Sequence, residues 1–503
     1  MKRLIYKSLI LLCVPLAFSG CKKFLNVTPI DNLSGNNYWQ TKSDVENFTR
    51  GIYATLRIKI AGPSAGGYFP AMDLRCAPIK KVANGYEFIN QLRTNNFKGI
   101  QSDNKDWTGG YAVKNLTTWN AFYDMIQSAN ILLVQIDKIP DPNFTSNDKK
   151  HYRAEAVFLR NLAYFFMVRQ FGDVAYYTKA YNSEPLERMP MVQVLNLCLE
   201  DMNKYKNDLP WTYEDPSTVG IRAMRGGAIA LMMHMNMWAA GFDEPNKLKY
   251  YTAVKQLGAE LMNNGGNYEL LPMTREESKK VFKGRTKESL FEVLQNVNYG
   301  EVFAAYASLS SLLVHYPYLG SVTTTNSVAA YEKKFMEKLY SDGSPDLRKE
   351  LWFENRLSEN GSFQFTKLIN TYGGEGQNIK NDDNMIIFRL PDALLLTAEA
   401  LAELGEDNEA QKMLNMVRKR AGALDVTSTG GALKDEIYWE RCRELMGEGH
   451  YYYDLVRTKK VMNDKYCSYP ISVSDFNQGA WTFPIDPSAM NNNPKMTLNN
   501  FWR

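Results

Sequence analysis

Cysteine is scarce in this chain of 503 residues, with six in all. Cys13 and Cys21 fall at the start; Cys76, Cys198, Cys442 and Cys467 are spread through the remainder without Cys-x-x-Cys spacing, which argues against a zinc site. One disulfide is compatible with an oxidising compartment, but buried free thiols are the expectation. Histidine is scarcer still. His151, His234, His315 and His450 stand far apart and lack His-Glu-x-x-His spacing, so a zinc hydrolase is disfavoured. No Walker-type phosphate loop is present. An excess of one charge is also missing: the formal net charge is +4, and nucleic-acid binding needs a concentrated basic face. No stretch beyond the first 20 residues reads as a transmembrane helix. Neither a cofactor nor a metal is assigned.

What the chain does have begins at its first residue. Lys2, Arg3 and Lys7 precede an apolar run, Leu9 to Phe18, broken only by Pro15 and followed by Ser19, Gly20 and Cys21. Charge, apolar core and small residues in that order make a secretory signal. The run is too short to span a bilayer, which takes about 20 apolar residues. Small residues directly before Cys21 resemble a bacterial lipobox, in which the cysteine is acylated and becomes the first mature residue. The expected organisation is a signal over 1–20 and one domain over 21–503, anchored to a membrane by lipid on Cys21. Losing Lys2, Arg3 and Lys7 lowers the formal charge from +4 to about +1.

Periodicity divides the domain into helical parts over 42–262 and 385–469, a loop and short-strand middle over 263–384, and an extended tail over 470–503. Ser43 is placed to cap a helix through Arg57, with Val45, Phe48, Ile52 and Leu56 on one face. Further helices are expected over Trp119–Ile136, Arg153–Phe171 and Met224–Trp238, the last two apolar on several sides and so packed between neighbours. After the middle come Arg389–Glu403, Asp407–Ala421 and Leu433–Gly447. Small residues at the contacts of paired helices suggest tetratricopeptide-like packing, although no 34-residue repeat is readable. The middle is punctuated by glycines from Gly265-Gly266 to Gly373-Gly374, with a β-type run at Leu290–Leu294 and a helix expected over Ser327–Leu339. The fold class is therefore mainly α, with helix pairs supporting an irregular region.

Charged motifs admit two readings. Glu440, Arg441, Arg443 and Glu444 crowd one helix, Asp454 and Arg457 follow, and Glu399, Arg418 and Arg420 lie on earlier helices. A carboxylate pair could serve acid–base chemistry. Ion pairs between packed helices are the expected reading. A glycosidase needs two carboxylates across a cleft, and Asp382-Asp383 are neighbours expected in a solvated turn.

Several motifs in fixed order resemble the SusD/RagB family of outer-membrane lipoproteins. They are Cys21-Lys22-Lys23-Phe24-Leu25-Asn26; Trp119-x-x-x-Tyr123-x-x-Ile126-x-x-Ala129-Asn130; and Ala154-Glu155-Ala156-x-x-Leu159-Arg160-x-x-Ala163-Tyr164-Phe165, closing on Phe171-Gly172-Asp173-Val174. Ala398-Glu399-Ala400, Leu414-Asn415-x-Val417-Arg418-x-Arg420-Ala421-Gly422, Glu440-Arg441-x-Arg443-Glu444-Leu445, Asp454-Leu455-Val456-Arg457, Phe483-Pro484-Ile485 and Asn493-Pro494 continue the series. Asn161 and Ala175 depart from the pattern, as do the basic Lys22 and Lys23 where many relatives are acidic. The resemblance covers both ends but not the middle. It implies a cell-surface glycan-binding lipoprotein without catalytic activity, facing outward from the outer membrane. Such a protein passes oligosaccharides, less often peptides, to a SusC-type TonB-dependent transporter.

Aromatic residues make up 13% of the chain and supply the candidate site. Sugar rings offer apolar faces and hydroxyl edges, so a glycan site needs flat aromatics beside polar groups. Those in loops are the candidates. Gly62–Tyr111 offers Tyr68, Asp73, Arg75, Tyr86, Trp107 and Tyr111, and Asn298–Trp352 offers Tyr299, Tyr306, Tyr316, Tyr318 and Trp352. The selected set is Asp73, Arg75, Tyr86, Trp107, Tyr111, Tyr299, Tyr316, Tyr318 and Trp352. Glycan capture leads, with peptide capture on the same scaffold or a helical adaptor with only protein partners as alternatives.

Overall fold

The structure, a computed structural model, describes residues 38–62, 68–83, 85–102, 113–263, 265–301, 309–315, 326–368, 383–491 and 493–503. The signal, Cys21 and the residues up to 37 lie outside it.

Helix α1 (Lys42–Ile60) starts at Thr41, whose hydroxyl accepts from the Asp44 N–H while the Asp44 carboxylate accepts from the Thr41 N–H. This reciprocal cap needs an acceptor three residues into the helix. Thr41 with Asp44 meets that need, so the helix begins before the Ser43 expected from sequence. Short helices α2 (Tyr68–Leu74), α3 (Glu87–Arg93) and α4 (Phe97–Ser102) follow, with strand β1 (Ile79–Lys81) between α2 and α3. Then come α5 (Asn120–Gln135), α6 (Ser146–Phe171), α7 (Met191–Tyr205), α8 (Arg225–Ala240) and α9 (Lys247–Met262). Every residue of α6 from Ala154 to Phe171 is buried, because α5 packs on one side and α7 on another. That explains its apolar girth; burying a side chain such as Phe158 contributes roughly 2–3 kcal/mol.

The middle holds α10 (Arg275–Lys283), β2 (Ser289–Val293), α11 (Ser310–Leu313), β3 (Ala329–Tyr331), α12 (Lys333–Leu339), α13 (Arg348–Trp352), β4 (Phe353–Glu354), β5 (Gln364–Phe365) and β6 (Met385–Arg389). Its strands form three antiparallel pairs, β1 with β3, β2 with β6 and β4 with β5. The helix expected over Ser327–Leu339 is split. Residues 329–331 pair with β1, Lys80 opposite Ala330, and the Glu332 N–H donates to Pro78 O, so the helix begins only at Lys333.

Strand β6 runs directly into α14 (Leu390–Glu403), followed by α15 (Asp407–Arg420), α16 (Gly430–Glu444), α17 (Tyr451–Arg457) and α18 (Val473–Gln478). Neighbours pack in sequence: α1 on α5, α5 on α6, α6 on α7, α7 on α8, α8 on α9, α9 on α14, and α14 on both α15 and α16. This is the stacked-pair architecture expected from sequence. Close approach has a price in residue choice: a Cβ on Gly258 of α9 would sit 2.3 Å from Thr397 Oγ1 of α14. No helix among the described residues is long and apolar enough to cross a membrane.

Candidate functional site

The C-terminal turn of α1 organises the described parts of the irregular region. Lys59 is buried, and its ammonium donates to Asn115 O at 2.7 Å and Thr118 O at 2.6 Å. Burial lowers its pKa to about 8, and the two carbonyls hold its position. Arg57, two positions earlier on the same turn, pairs with Glu301 at 3.2 Å. Residues 113–118 directly follow the first candidate segment, which ends at Tyr111, and Glu301 lies near the start of the second, which begins at Asn298. The end of α1 thus brings together two segments that lie far apart in sequence.

Tyr299 stands on the second of them. It ends a single 3-10 turn, Val297–Tyr299, capped by Asn296, whose side-chain oxygen accepts from the Asn298 N–H at 2.9 Å. Gly300 then takes φ +70°, and the Glu301 N–H returns to Asn296 O. This tight turn leaves Tyr299 78% exposed, the most exposed large hydrophobic side chain among the described residues. Tyr86 is partly buried, stacked on Phe88 with ring centroids 6.0 Å apart. Near it the Val328 N–H donates to Leu312 O, which ties β3 to α11.

Three sequence candidates do not face solvent. Asp73 lies in α2, all of whose residues are buried; its Oδ2 accepts from the Gly449 N–H at 2.8 Å, and burial pushes its carboxyl up to about 7. Arg75 is fully buried, donating to Asn95, Ala480 O and Thr482 O, with its guanidinium against the rings of Tyr452, Phe483 and Phe97. Trp352 is 2% exposed and covered by the Lys367 ammonium, 4.3 Å from a ring centroid. Sequence placed these three in loops; the chain instead uses them to fasten α2 and α13 to the core. Trp107, Tyr111, Tyr316 and Tyr318 lie outside the described residues, as does Tyr306.

The charged motifs form buried ion pairs. Glu440 pairs with Arg348 at 2.7 Å and accepts from Arg418 at 2.7 Å and Arg443 at 2.9 Å. Burial alone would raise its pKa, but the three guanidinium groups outweigh that and bring it down to about 2. Glu444 pairs with Arg348, Arg389 and Arg420, and Glu448 with Arg389 and Lys367. Asp454 bridges Arg441 and Arg457, and Arg457 also reaches Glu399. These carboxylates face arginines inside the protein, so they are not poised across an open cleft. Asp383, expected in a solvated turn, is buried as well; Asp382 lies outside the described residues.

One described group brings metal-type donors together. His234, Asp392 and His450 are buried, with donor atoms within 4.8 Å of one another. Both Asp392 oxygens already have partners, Oδ2 at 2.6 Å from His234 Nε2 and Oδ1 at 2.8 Å from Arg441. The Arg441 charge opposes a cation there, and burial lowers both histidine pKa values, to about 4 for His450. The geometry is that of an internal hydrogen-bonded group. A Gly-x-Ser-x-Gly spacing at residues 62–66 follows helix α1 rather than a strand, so it lacks the strand–turn–helix setting of a nucleophile elbow. Sequence reasoning missed an open groove of about 610 Å³ where Arg188, Phe242, Lys459, Trp481 and Asn499 meet beneath the tail. Its walls come from stretches scattered between Gly172 and Asn500, and no local pattern announces it.

Comparison with known proteins agrees with this architecture. A SusD family model matches residues 354–502, and a model described as starch-binding associating with outer membrane matches 81–235. SusD-like protein P38 of Formosa agariphila is 23% identical over 499 residues, covering 88% of this chain and 89% of its own. A laminarin-binding SusD-like protein superposes with a TM-score of 0.69 at 19% identity, over 92% of this chain and 99% of that one. A SusD homologue from Bacteroides thetaiotaomicron superposes with a TM-score of 0.84 at 41% identity, over 93% of this chain and all of that one. The ordered motifs, the stacked helix pairs and this near-complete match establish that the chain belongs to the SusD family of outer-membrane-associated, glycan-binding proteins.

Proposed function

We propose that this protein captures oligosaccharides at the cell surface, anchored by lipid on Cys21, and passes them to a SusC-type TonB-dependent transporter without transforming them. The observation that carries the reading is the convergence at the end of α1. Lys59 holds the residues that follow the first aromatic-bearing segment, Arg57 holds Glu301 in the second, and Tyr299 projects from the second into solvent. Function tends to sit on loops held by a rigid frame, and the helix stack is such a frame. We place the sugar-contacting surface on Tyr299 together with Trp107, Tyr111, Tyr316 and Tyr318, with Tyr86 at its margin. Asp73, Arg75 and Trp352 support that surface from within.

Stacking on one aromatic contributes roughly 1 kcal/mol beyond area burial, by analogy with aromatic pairs. Removing one platform then weakens binding about five- to tenfold. The test is a glycan array to select the ligand, then calorimetry on Tyr299→Ala and Trp107→Ala. Both variants are expected to fold normally and bind more weakly. Wild-type affinity in both would place the site elsewhere.

A further inference from the structure

We infer that Cys76 and Cys467 are partners in a disulfide that staples the first irregular segment to the chain just before the C-terminal tail. The two residues are 391 positions apart, yet Cys467 Sγ lies 3.7 Å from the Cys76 carbonyl oxygen, and the two thiols are hydrogen-bonding neighbours. Both are buried, in the reduced state, at 0% and 1% exposure. The Cys467 sulfur thus lies against the Cys76 backbone, within the short reach that a disulfide of about 2.05 Å between the two sulfurs requires. Of the other two buried cysteines, Cys442 has its thiol hydrogen-bonded with Tyr438, and Cys198 lies near Asp201 and Arg160.

The surroundings hold the pair in place. Cys76 has φ +56°, a left-handed conformation that a non-glycine residue adopts only where its neighbours enforce it. The preceding residue, Arg75, is anchored by donating to Ala480 O and Thr482 O. The Cys76 N–H donates to Leu92 O, and the Cys467 N–H to Asn463 O. Nearby, the Arg93 guanidinium lies 4.6 Å from the Tyr469 ring centroid, and the Tyr452 hydroxyl donates to Trp481 O. The cysteine pair therefore sits at a seam that closes a very long loop of chain, where a cross-link restricts the unfolded state most.

The inference rests on the exported location in the functional reading, since structural disulfides persist in oxidising compartments. Each thiol gives up one proton and one electron as the S–S bond forms. The two electrons and two protons reduce the disulfide of an extracytoplasmic thiol–disulfide oxidoreductase to a dithiol. Hydrogen bonding to Cys467 and burial push the Cys76 thiol up in the folded protein, which disfavours the attacking thiolate.

The test isolates the full-length protein from its membrane fraction, blocks free thiols with N-ethylmaleimide in denaturant without reductant, and maps peptides by mass. Two of the four internal cysteines, Cys198 and Cys442, are expected to be alkylated, with the Cys76 and Cys467 peptides joined until reduced. Cys76→Ser is expected to free Cys467 for alkylation. Reduction should lower Tm by about 3–6 °C in the wild type and leave a Cys76→Ala/Cys467→Ala variant unchanged. Four alkylated thiols in membrane-derived protein, or a bridge to Cys198 or Cys442, would overturn the inference while leaving export intact. Protein recovered only from the cytoplasmic fraction would instead count against the location on which it rests.

Discussion

Replacing Glu440 by glutamine removes one negative charge from the centre of the α16 ion cluster while keeping its shape. The carboxylate lies within 2.9 Å of three guanidinium groups, those of Arg348, Arg418 and Arg443, and is fully buried. Its pKa falls from the ordinary 4.5 to about 2 despite the opposing effect of burial. That lowering corresponds to roughly 3 kcal/mol of folding stability at neutral pH. The sign follows from the direction of the shift: the contribution is complete above the unfolded pKa and is lost as pH falls from about 4.5 towards 2. Glu440→Gln should therefore lower stability by roughly 3 kcal/mol at pH 7 and by only about half that at pH 3, where the wild type is itself losing the benefit. Urea denaturation of both proteins at the two pH values measures this, with the shift in midpoint read at constant m-value. A variant as stable as wild type at pH 7, or a deficit equally large at pH 3, would refute the ledger of charges drawn for this cluster.

Other outcomes follow from the same structure. Gly258→Ala forces a methyl group against Thr397 and should destabilise the α9–α14 contact by about 1–3 kcal/mol, read as a lower thermal midpoint. Arg389→Met leaves Glu448 with Lys367 alone and takes one partner from Glu444, so a loss of about 3–5 kcal/mol is expected in chemical denaturation at pH 7. Cys21→Ala should release the protein from membrane fractions and abolish labelling by radioactive palmitate; unchanged association would contradict lipid anchoring. Pull-down from mildly solubilised outer membranes should recover a large β-barrel transporter, and recovery of the lipoprotein alone would count against delivery.

Much of the frame was legible because helix packing leaves a periodic trace. The Ala154–Phe171 stripe and the small residues of α14 announce helices buried between neighbours, and the structure buries them there. Start points were less legible where two caps competed, as Ser43 and Thr41 did. Ser327–Leu339 failed for a non-local reason: β1, some 250 residues earlier, claims its first residues as a strand. The site was legible only as composition. An aromatic or charged residue in a glycine-rich stretch can stand on the surface, as Tyr299 does, or anchor the stretch to the core, as Arg75 and Trp352 do. Local sequence does not separate the two, because the difference lies in partners outside the stretch: Ala480 and Thr482, some 400 residues from Arg75, and Lys367, beyond the turn that follows Trp352.

The central claim is capture without transformation. Titrating the purified lipoprotein with its array-selected oligosaccharide, then recovering that ligand and weighing it by mass spectrometry, tests it most directly. The account predicts saturable binding that weakens in Tyr299→Ala, with the oligosaccharide recovered at its original mass and no new reducing ends. Absence of binding to any glycan, or recovery of shortened products, would contradict it.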